Sequence, residues 1–231
     1  MFPDKNLFIV SSSLKPKIGV FENSTRIQQT LETFRSIRKQ VPNSIILFAD
    51  SSSQPINQEE LKIFDGYIDL FLNIGPTEFG DRGLKSQAET LLLLNTLYQF
   101  KQNLELMKLL HSIKRIFKLS GRYKLQETFD IKDYDNKFGN YIFRKRIPSW
   151  LPEQTQKSLG TTDLLVTRLF SFCPSLLDDY IITLQKNFEL LNIGIDTEHA
   201  HFVNINKDYL VEFDKVHCQG YVASTGELHI D

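Results

Sequence analysis

"IKRIFKLSGRYKL", Ile113 to Leu125, decides how this chain is read. Arg115 to Leu119 is apolar enough for a buried strand, yet the run carries Lys118 and stops abruptly at Ser120-Gly121-Arg122-Tyr123. A strand that serves only a core normally leaves through a generic polar turn. Here Gly121 permits a tight backbone approach, and Arg122 presents a planar fork of donors matched to phosphate or carboxylate. Tyr123 can stack on a ligand or hydrogen-bond it. The competing reading is a structural arginine paired with an acidic neighbour such as Glu127.

Outward from this stretch the chain alternates. Leu7–Val10 is a short apolar run closed by Ser11-Ser12-Ser13, the pattern of a buried strand that stops at a polar loop. Ile27, Leu31, Phe34, Ile37 and Val41 recur at three- and four-residue spacing, which predicts a helix from Thr25 with a capping box between Thr25 and Gln28. "SIILFAD" predicts a second strand running into Asp50 and a serine-rich loop through Ser53; "GYIDLFLNI" predicts a third. Leu84–Phe100 and a further stretch to about His111 read as helix and lead into the Arg115–Leu119 strand. Strands alternating with helices imply βαβ crossovers and a mostly parallel sheet with covered faces.

Beyond Tyr123 the texture changes. Phe129–Pro148 reads as a long excursion or hairpin, "TDLLVTRLFSF" as a strand, and Leu176–Leu191 as a helix. Ala200–Val203 and Val216–Val222 read as short strands. No linker separates the two halves, so a single domain over residues 1 to 231, sharing one sheet, is expected.

Charge is balanced, 27 Lys and Arg against 28 Asp and Glu, so no global basic field exists to hold nucleic acid, and any anion must be gripped locally. Two cysteines, Cys173 and Cys218, stand far apart in no CxxC pattern, which argues for a reducing compartment. The N-terminus does not read as a signal peptide, and "TLLLLNTLYQF" is too short and interrupted to span a bilayer. A cytoplasmic protein with no transmembrane segment is expected. There is no GxxxxGK[ST], and no GxGxxG after the first strand, which argues against a P-loop NTPase or an ordinary NAD dehydrogenase.

In open α/β sheets ligands sit at the carboxyl ends of strands, where strand order reverses. Four predicted strands end in Ser11–Ser13, Asp50–Ser53, Asn73–Gly75 and Ser120–Arg122. Each alone is ordinary turn chemistry; jointly they point to a crevice. Arg26 and Lys85, near two helix starts, face that crevice or solvent, and for Lys85 an exposed pair with Glu89 one turn on is the plainer reading. In "TEHAH", Thr197 to His201, a strand would put His199 and His201 on one face, as metal sites use, but no further ligand motif accompanies them. Glu198 is the better candidate for proton abstraction, with a structural acid as the alternative. "DYD", Asp133–Asp135, matches a DxD in form but falls in a predicted loop; "FRKR", Phe143–Arg146, reads as a solvated edge strand.

Taken together, "SSSLKPKIGVFENSTRIQQTLETFRSIRKQVPNSIILFADSS", "FKLSGRY", "TTDLLVTRLFSF", "DTEHAHF" and "GYVASTGEL" resemble blocks of small GT-A-like glycosyltransferase proteins of the nucleotide-diphospho-sugar transferase superfamily, found in microbial and viral polysaccharide loci. The resemblance runs from Leu7 to Leu228. It implies a GT-A, Rossmann-like α/β fold with a mixed, mostly parallel sheet flanked by helices, its nucleotide half over residues 1–125 and its acceptor half over 126–231. It implies sugar transfer from a nucleotide-sugar donor to a glycan, a lipid-linked acceptor or another hydroxyl. On that resemblance Ser11, Ser12 and Arg26 lie near the nucleotide and Asp50 near its base or ribose. Lys85 and Arg122 lie by the diphosphate, with Lys118, Gly121 and Tyr123 around them, and Glu198 lies at the acceptor hydroxyl.

One departure matters. The metal-binding DxD usual in such enzymes is missing from the strand end that Ser120–Tyr123 occupies. Negative charge grows on the departing diphosphate as the sugar becomes oxocarbenium-like, and a divalent ion usually stabilises it. Mg²⁺ or Mn²⁺ is therefore an optional cofactor under the resemblance, and no metal ligand is assigned. Arg122, Lys118 or Lys85 can substitute through charge-assisted hydrogen bonds in a dry crevice, so metal-independent, inverting transfer with Glu198 as base is the expectation. Two other readings compete: a catalytically silent GT-A-like protein that binds a nucleotide or glycan, and a different α/β enzyme acting on a phosphorylated metabolite.

Overall fold

A computed structural model describes residues 4–17, 20–52, 54–75, 84–222 and 224–231; Ser53, the last residue of the predicted serine loop, lies outside them. The main strands are β1 (Lys5–Ser12), β2 (Ile45–Asp50), β3 (Leu70–Asn73), β4 (Ile113–Ser120), β6 (Tyr141–Arg144), β9 (Leu169–Phe172) and β10 (Leu210–Phe213). They form one seven-stranded sheet in the order β10-β6-β9-β4-β1-β2-β3. β1, β2, β3 and β4 are mutually parallel, β9 runs antiparallel to β4 and β6, and β10 is parallel to β6. Strand order reverses between β1 and β4. A second, three-stranded sheet joins β5 (Tyr123–Leu125) to β11 (Cys218–Tyr221) and β12 (Leu228–Ile230).

β1 shows why the apolar runs carry no alternation. Leu7 and Ile9 enter one core while Phe8 and Val10 enter the other, so all four are buried. Leu7 and Ile9 pack in the core to which α3 (Lys85–Gln102) and α6 (Leu177–Asn192) contribute Leu93, Leu97, Tyr180 and Leu184. Phe8 and Val10 pack with Leu31, Phe34 and Ile37 of α1 (Asn23–Gln40). Phenylalanine fills this second layer: Phe8 stacks on Phe117 at 4.6 Å, and Phe34, Phe48 and Phe64 meet edge-on at 5.3 to 5.5 Å.

Several local expectations are corrected. α1 starts at Asn23 behind Glu22 with no side-chain cap, so the Thr25–Gln28 capping box does not form. The "TDLLVTRLFSF" stretch is two strands: β8 (Asp163–Leu164) pairs with β7 (Ile147–Pro148), and β9 starts only at Leu169. Phe143–Arg146 is no solvated edge. β6 lies between β9 and β10, Phe143 stacks on Phe170 at 4.6 Å, and Arg146 pairs with Glu212 at 2.5 Å. Asp133 falls in a single 3-10 turn, Ile131–Tyr134, and Asp135 just beyond it is paired with Lys114. Ala200–Val203 is helical, inside α7 (Thr197–Asn204), because Asp196 caps that helix by accepting from the His199 N–H at 3.0 Å. His201 therefore points away from His199 into the core, where its Nε2 meets the Tyr180 hydroxyl at 3.1 Å; burial lowers its pKa to about 4 and keeps it neutral.

Candidate active site

The carboxyl ends of β1 and β4 meet at the order reversal. Gly121 N–H donates to the Ser11 carbonyl at 2.8 Å, continuing the pairing one step past β4. A Cβ at Gly121 would sit 3.0 Å from Ser12 Cβ and 3.2 Å from Thr30 Oγ1, tighter than side chains normally pack, so the glycine serves close approach. From here the Gly121–Leu125 segment is fastened to α1 by a ladder of hydroxyls. Thr30 Oγ1 donates to the Gly121 carbonyl at 3.1 Å, Thr33 Oγ1 to the Tyr123 carbonyl at 2.8 Å, and Leu125 N–H to Ser36 Oγ at 2.9 Å. The three-residue spacing of Thr30, Thr33 and Ser36 keeps them on one helix face.

This fastening fixes Arg122. Its Nε donates to the Tyr221 carbonyl at 3.3 Å, while its own carbonyl accepts the Tyr221 N–H at 3.4 Å. Glu127 is not its partner but pairs with Lys39 at 2.7 Å, and among the described residues Arg122 makes no ion pair. Arg26, from the first turns of α1, is buried and donates through Nε and Nη2 to the Ser13 carbonyl at 3.2 and 3.1 Å. Burial first, then the Arg122 charge, lowers its pKa to about 9, against the pull of Asp50 and Glu89, so it stays charged at neutral pH. Lys85, exposed at the start of α3, is depressed by partial burial, then by Arg122 and by Arg26. Cations from three remote segments thus act on one another through their charges.

Behind them lies a buried pair. Lys118 is 2% exposed on the α3 side of β4; its Nζ lies 2.5 Å from Glu89 Oε1 and donates to the Thr167 carbonyl at 3.0 Å. Glu89 thus pairs with the β4 strand it packs against rather than with Lys85. Ser11 Oγ donates to the same Glu89 oxygen at 3.2 Å. Burial would raise the Glu89 pKa, but the Lys118 charge and hydrogen bond, Arg122 and Ser11 outweigh it and hold the carboxyl at about 2. Thr167 links onward, its hydroxyl donating to Glu198 Oε1 at 3.2 Å. Burial, then Asp196 and later Glu89, push the Glu198 pKa up.

Other candidates turn inward. Asp50 is fully buried, its oxygens accepting the Leu14 N–H at 3.0 Å and the Ser52 N–H at 2.8 Å, so it organises the loops after β1 and β2 and has no surface for a base or ribose. The Ser12 hydroxyl lies 3.3 Å from Thr30 Oγ1. The Tyr123 ring is buried beneath the Arg168 guanidinium at 5.5 Å, which leaves no face for ligand stacking. Glu89, Thr167 and the α1 hydroxyl ladder were not singled out by sequence reasoning as parts of the site.

A mixed, mostly parallel seven-stranded sheet flanked by helices has the GT-A-type fold of glycosyltransferases. Three solved structures share it across 90% of this chain: the galactosyltransferase LgtC in complex with donor and acceptor sugar analogues (TM-score 0.53, 8% identity, 73% of that chain), core-mannan synthase A from Aspergillus fumigatus in its Mn/GDP form (0.52, 10%, 73%) and the mannosyltransferase Ktr4p from S. cerevisiae (0.50, 10%, 68%). No family model and no curated protein matches the sequence. No helix among the described residues is long and apolar enough to cross a membrane.

No group of three or more His, Cys, Asp or Glu suited to a metal occurs among the described residues. Of the carboxylates here, Glu89 is already paired with Lys118, and Arg26 and Lys85 both feel the positive charge of Arg122.

Proposed function

We propose that this protein is a glycosyltransferase that moves a sugar from a nucleotide-diphospho-sugar donor to a hydroxyl acceptor, with protein cations in place of a metal ion. The observation that supports the reading is that Arg122 follows Gly121 at the strand-order reversal, where ligands sit in open α/β sheets, and that its charge acts on Arg26 and Lys85. Arg122 and Lys85 bind the diphosphate, and buried Arg26 adds positive charge from beneath while it holds the Ser13 carbonyl. Glu89 holds buried Lys118 in place behind this site.

In the step itself the acceptor oxygen bonds to the anomeric carbon as the bond from that carbon to the diphosphate oxygen breaks. The electron pair leaves with the diphosphate, where the arginines and lysine meet the growing charge. The acceptor proton passes to Glu198, and transfer on the face opposite the leaving group inverts the anomeric centre.

The donor is tested by thermal shift with UDP, GDP, CMP and dTDP in EDTA. One nucleotide is expected to stabilise the protein, and Arg122→Ala to weaken its binding about 10- to 100-fold, the worth of one charge-assisted hydrogen bond at 1.5–3 kcal/mol. A shift that requires Mn²⁺ or Mg²⁺ sinks the metal-free version; no shift with any nucleotide, with or without metal, sinks the transferase.

Glu198 must be ionised to accept a proton. Because burial and Asp196 raise its pKa, the rate is expected to fall as pH drops through a value above the ordinary glutamate range. Profiles of kcat/KM against pH measure this limb; an unchanged limb in Glu198→Gln removes Glu198 as the base.

A further inference from the structure

Trp150 is the only tryptophan in the chain and is 61% exposed, immediately after β7. An exposed indole is ordinarily left loose, but this one is clamped. Its Nε1 donates to Asp196 Oδ2 at 3.2 Å, and its ring meets the His199 imidazole edge-on at 5.2 Å. His199 is fully buried, with Nδ1 2.8 Å from both Asp196 oxygens and Nε2 2.7 Å from Ser149 Oγ.

Ser149, His199 and Asp196 match the spacing of a nucleophile relay. Two features speak against that use. Ser149 Oγ already accepts the Leu151 N–H at 3.1 Å, and His199 has no open side for an approaching substrate. The three instead form a polar buttress, with His199 buried and Asp196 and Ser149 partly exposed, beside an aromatic ring that faces solvent. Burying a histidine and most of an aspartate to immobilise an exposed ring is physically sensible when the ring's rigidity is itself useful.

We infer that Trp150 is a stacking platform for a pyranose ring, and that Asp196, His199 and Ser149 are its positioning residues. The ligand class follows from the surface. One face of many pyranoses carries only C–H groups and lies flat on an indole, while the hydroxyl rim stays hydrated or meets the polar groups alongside. The platform also stands next to the chemistry: Asp196, which grips the indole, caps the helix whose first turn carries Glu198, and its charge reaches that carboxylate. Naming the sugar as the acceptor rests on the transferase reading; the platform itself does not. On that reading the acceptor is a glycan rather than a bare alcohol or a peptide hydroxyl.

The sole tryptophan makes the test direct, because all indole emission comes from this residue. The folded protein is titrated with methyl galactosides, glucosides and mannosides and their disaccharides, each with and without the nucleotide diphosphates of the thermal-shift panel. A saturable change in emission with a subset of sugars is expected. Asp196→Asn, which loosens the clamp, should weaken it about tenfold while leaving the nucleotide shift unchanged. If sugars saturate but no nucleotide stabilises the protein, the platform stands and the transferase reading falls. If a nucleotide stabilises the protein but emission stays flat across every sugar, with and without that nucleotide, the platform is overturned and the transferase stands. A response to phosphatidylglycerol vesicles without any response to sugars also overturns it, in favour of a membrane contact.

Discussion

Gly220→Ala should lower stability by about 3 kcal/mol, at the upper end for overpacking. Gly220 faces Tyr123 across the β11–β5 pair, and a Cβ there would lie 2.2 Å from the Arg122 carbonyl oxygen and 2.7 Å from Tyr123 Cα. These are backbone atoms of a segment already fastened to α1 by Thr30, Thr33 and Ser36, so neither side yields cheaply. For a chain of this size the loss corresponds to roughly 6–12 °C in Tm. Since the clash falls on the residue pair that fixes the Arg122 side chain through the Tyr221 carbonyl, nucleotide binding should weaken as well. Gly121→Ala is the comparison: its nearest neighbours are side-chain atoms at 3.0 to 3.2 Å, and a loss about half as large is expected. Chemical denaturation of the two variants decides it, and a Gly220→Ala protein as stable as the parent would refute the close approach.

The second large effect is asymmetric. Glu89→Ala removes the counter-charge of buried Lys118 and should cost about 2–3 kcal/mol. That is less than the 3–5 kcal/mol of a fully buried pair, because the Glu89 side chain is 34% exposed and Lys118 keeps the Thr167 carbonyl. Lys118→Met leaves a carboxylate that can turn to the open crevice and keep Ser11, so about 1 kcal/mol is expected. The double variant should recover part of the Glu89→Ala loss. The pH dependence has a definite sign: the Glu89 pKa is depressed, so its contribution is complete above the unfolded carboxylate value near 4.5 and is lost as pH falls toward about 2. Urea denaturation at pH 7 and pH 3 measures both variants. Equal losses at the two pH values, or a larger loss for Lys118→Met, would count against the pair as described.

The fold is legible where chemistry and position disagree. Lys118 inside an apolar run, and a glycine and arginine at the end of it, already separate this strand from one that serves only the core. Periodicity over long helices also reads cleanly, as in α3 and α6. Short segments mislead. Alternation over His199 and His201 fits either period, whereas Asp196 three residues before His199 is a helix-start signal that would have settled it. Glu89 escapes because the nearest partner along the helix, Lys85, hides the partner on the adjacent strand. The α1 hydroxyls escape because Thr and Ser on a helix look solvated until the segment they fasten is known. Asp50 and Tyr123 turn inward for the same reason: residue type tells which bonds a side chain can make, not which neighbours reach it first.

Arg26, Lys85 and Arg122 repel one another, and nothing in their own chemistry would gather them. The cohesion of two phenylalanine- and leucine-rich layers keeps them crowded. The site therefore carries electrostatic tension maintained by the hydrophobic interior, which on the proposed reading a donor diphosphate would discharge. On that reading part of the diphosphate's grip would originate in Phe8, Leu97 and their neighbours, buried in the core.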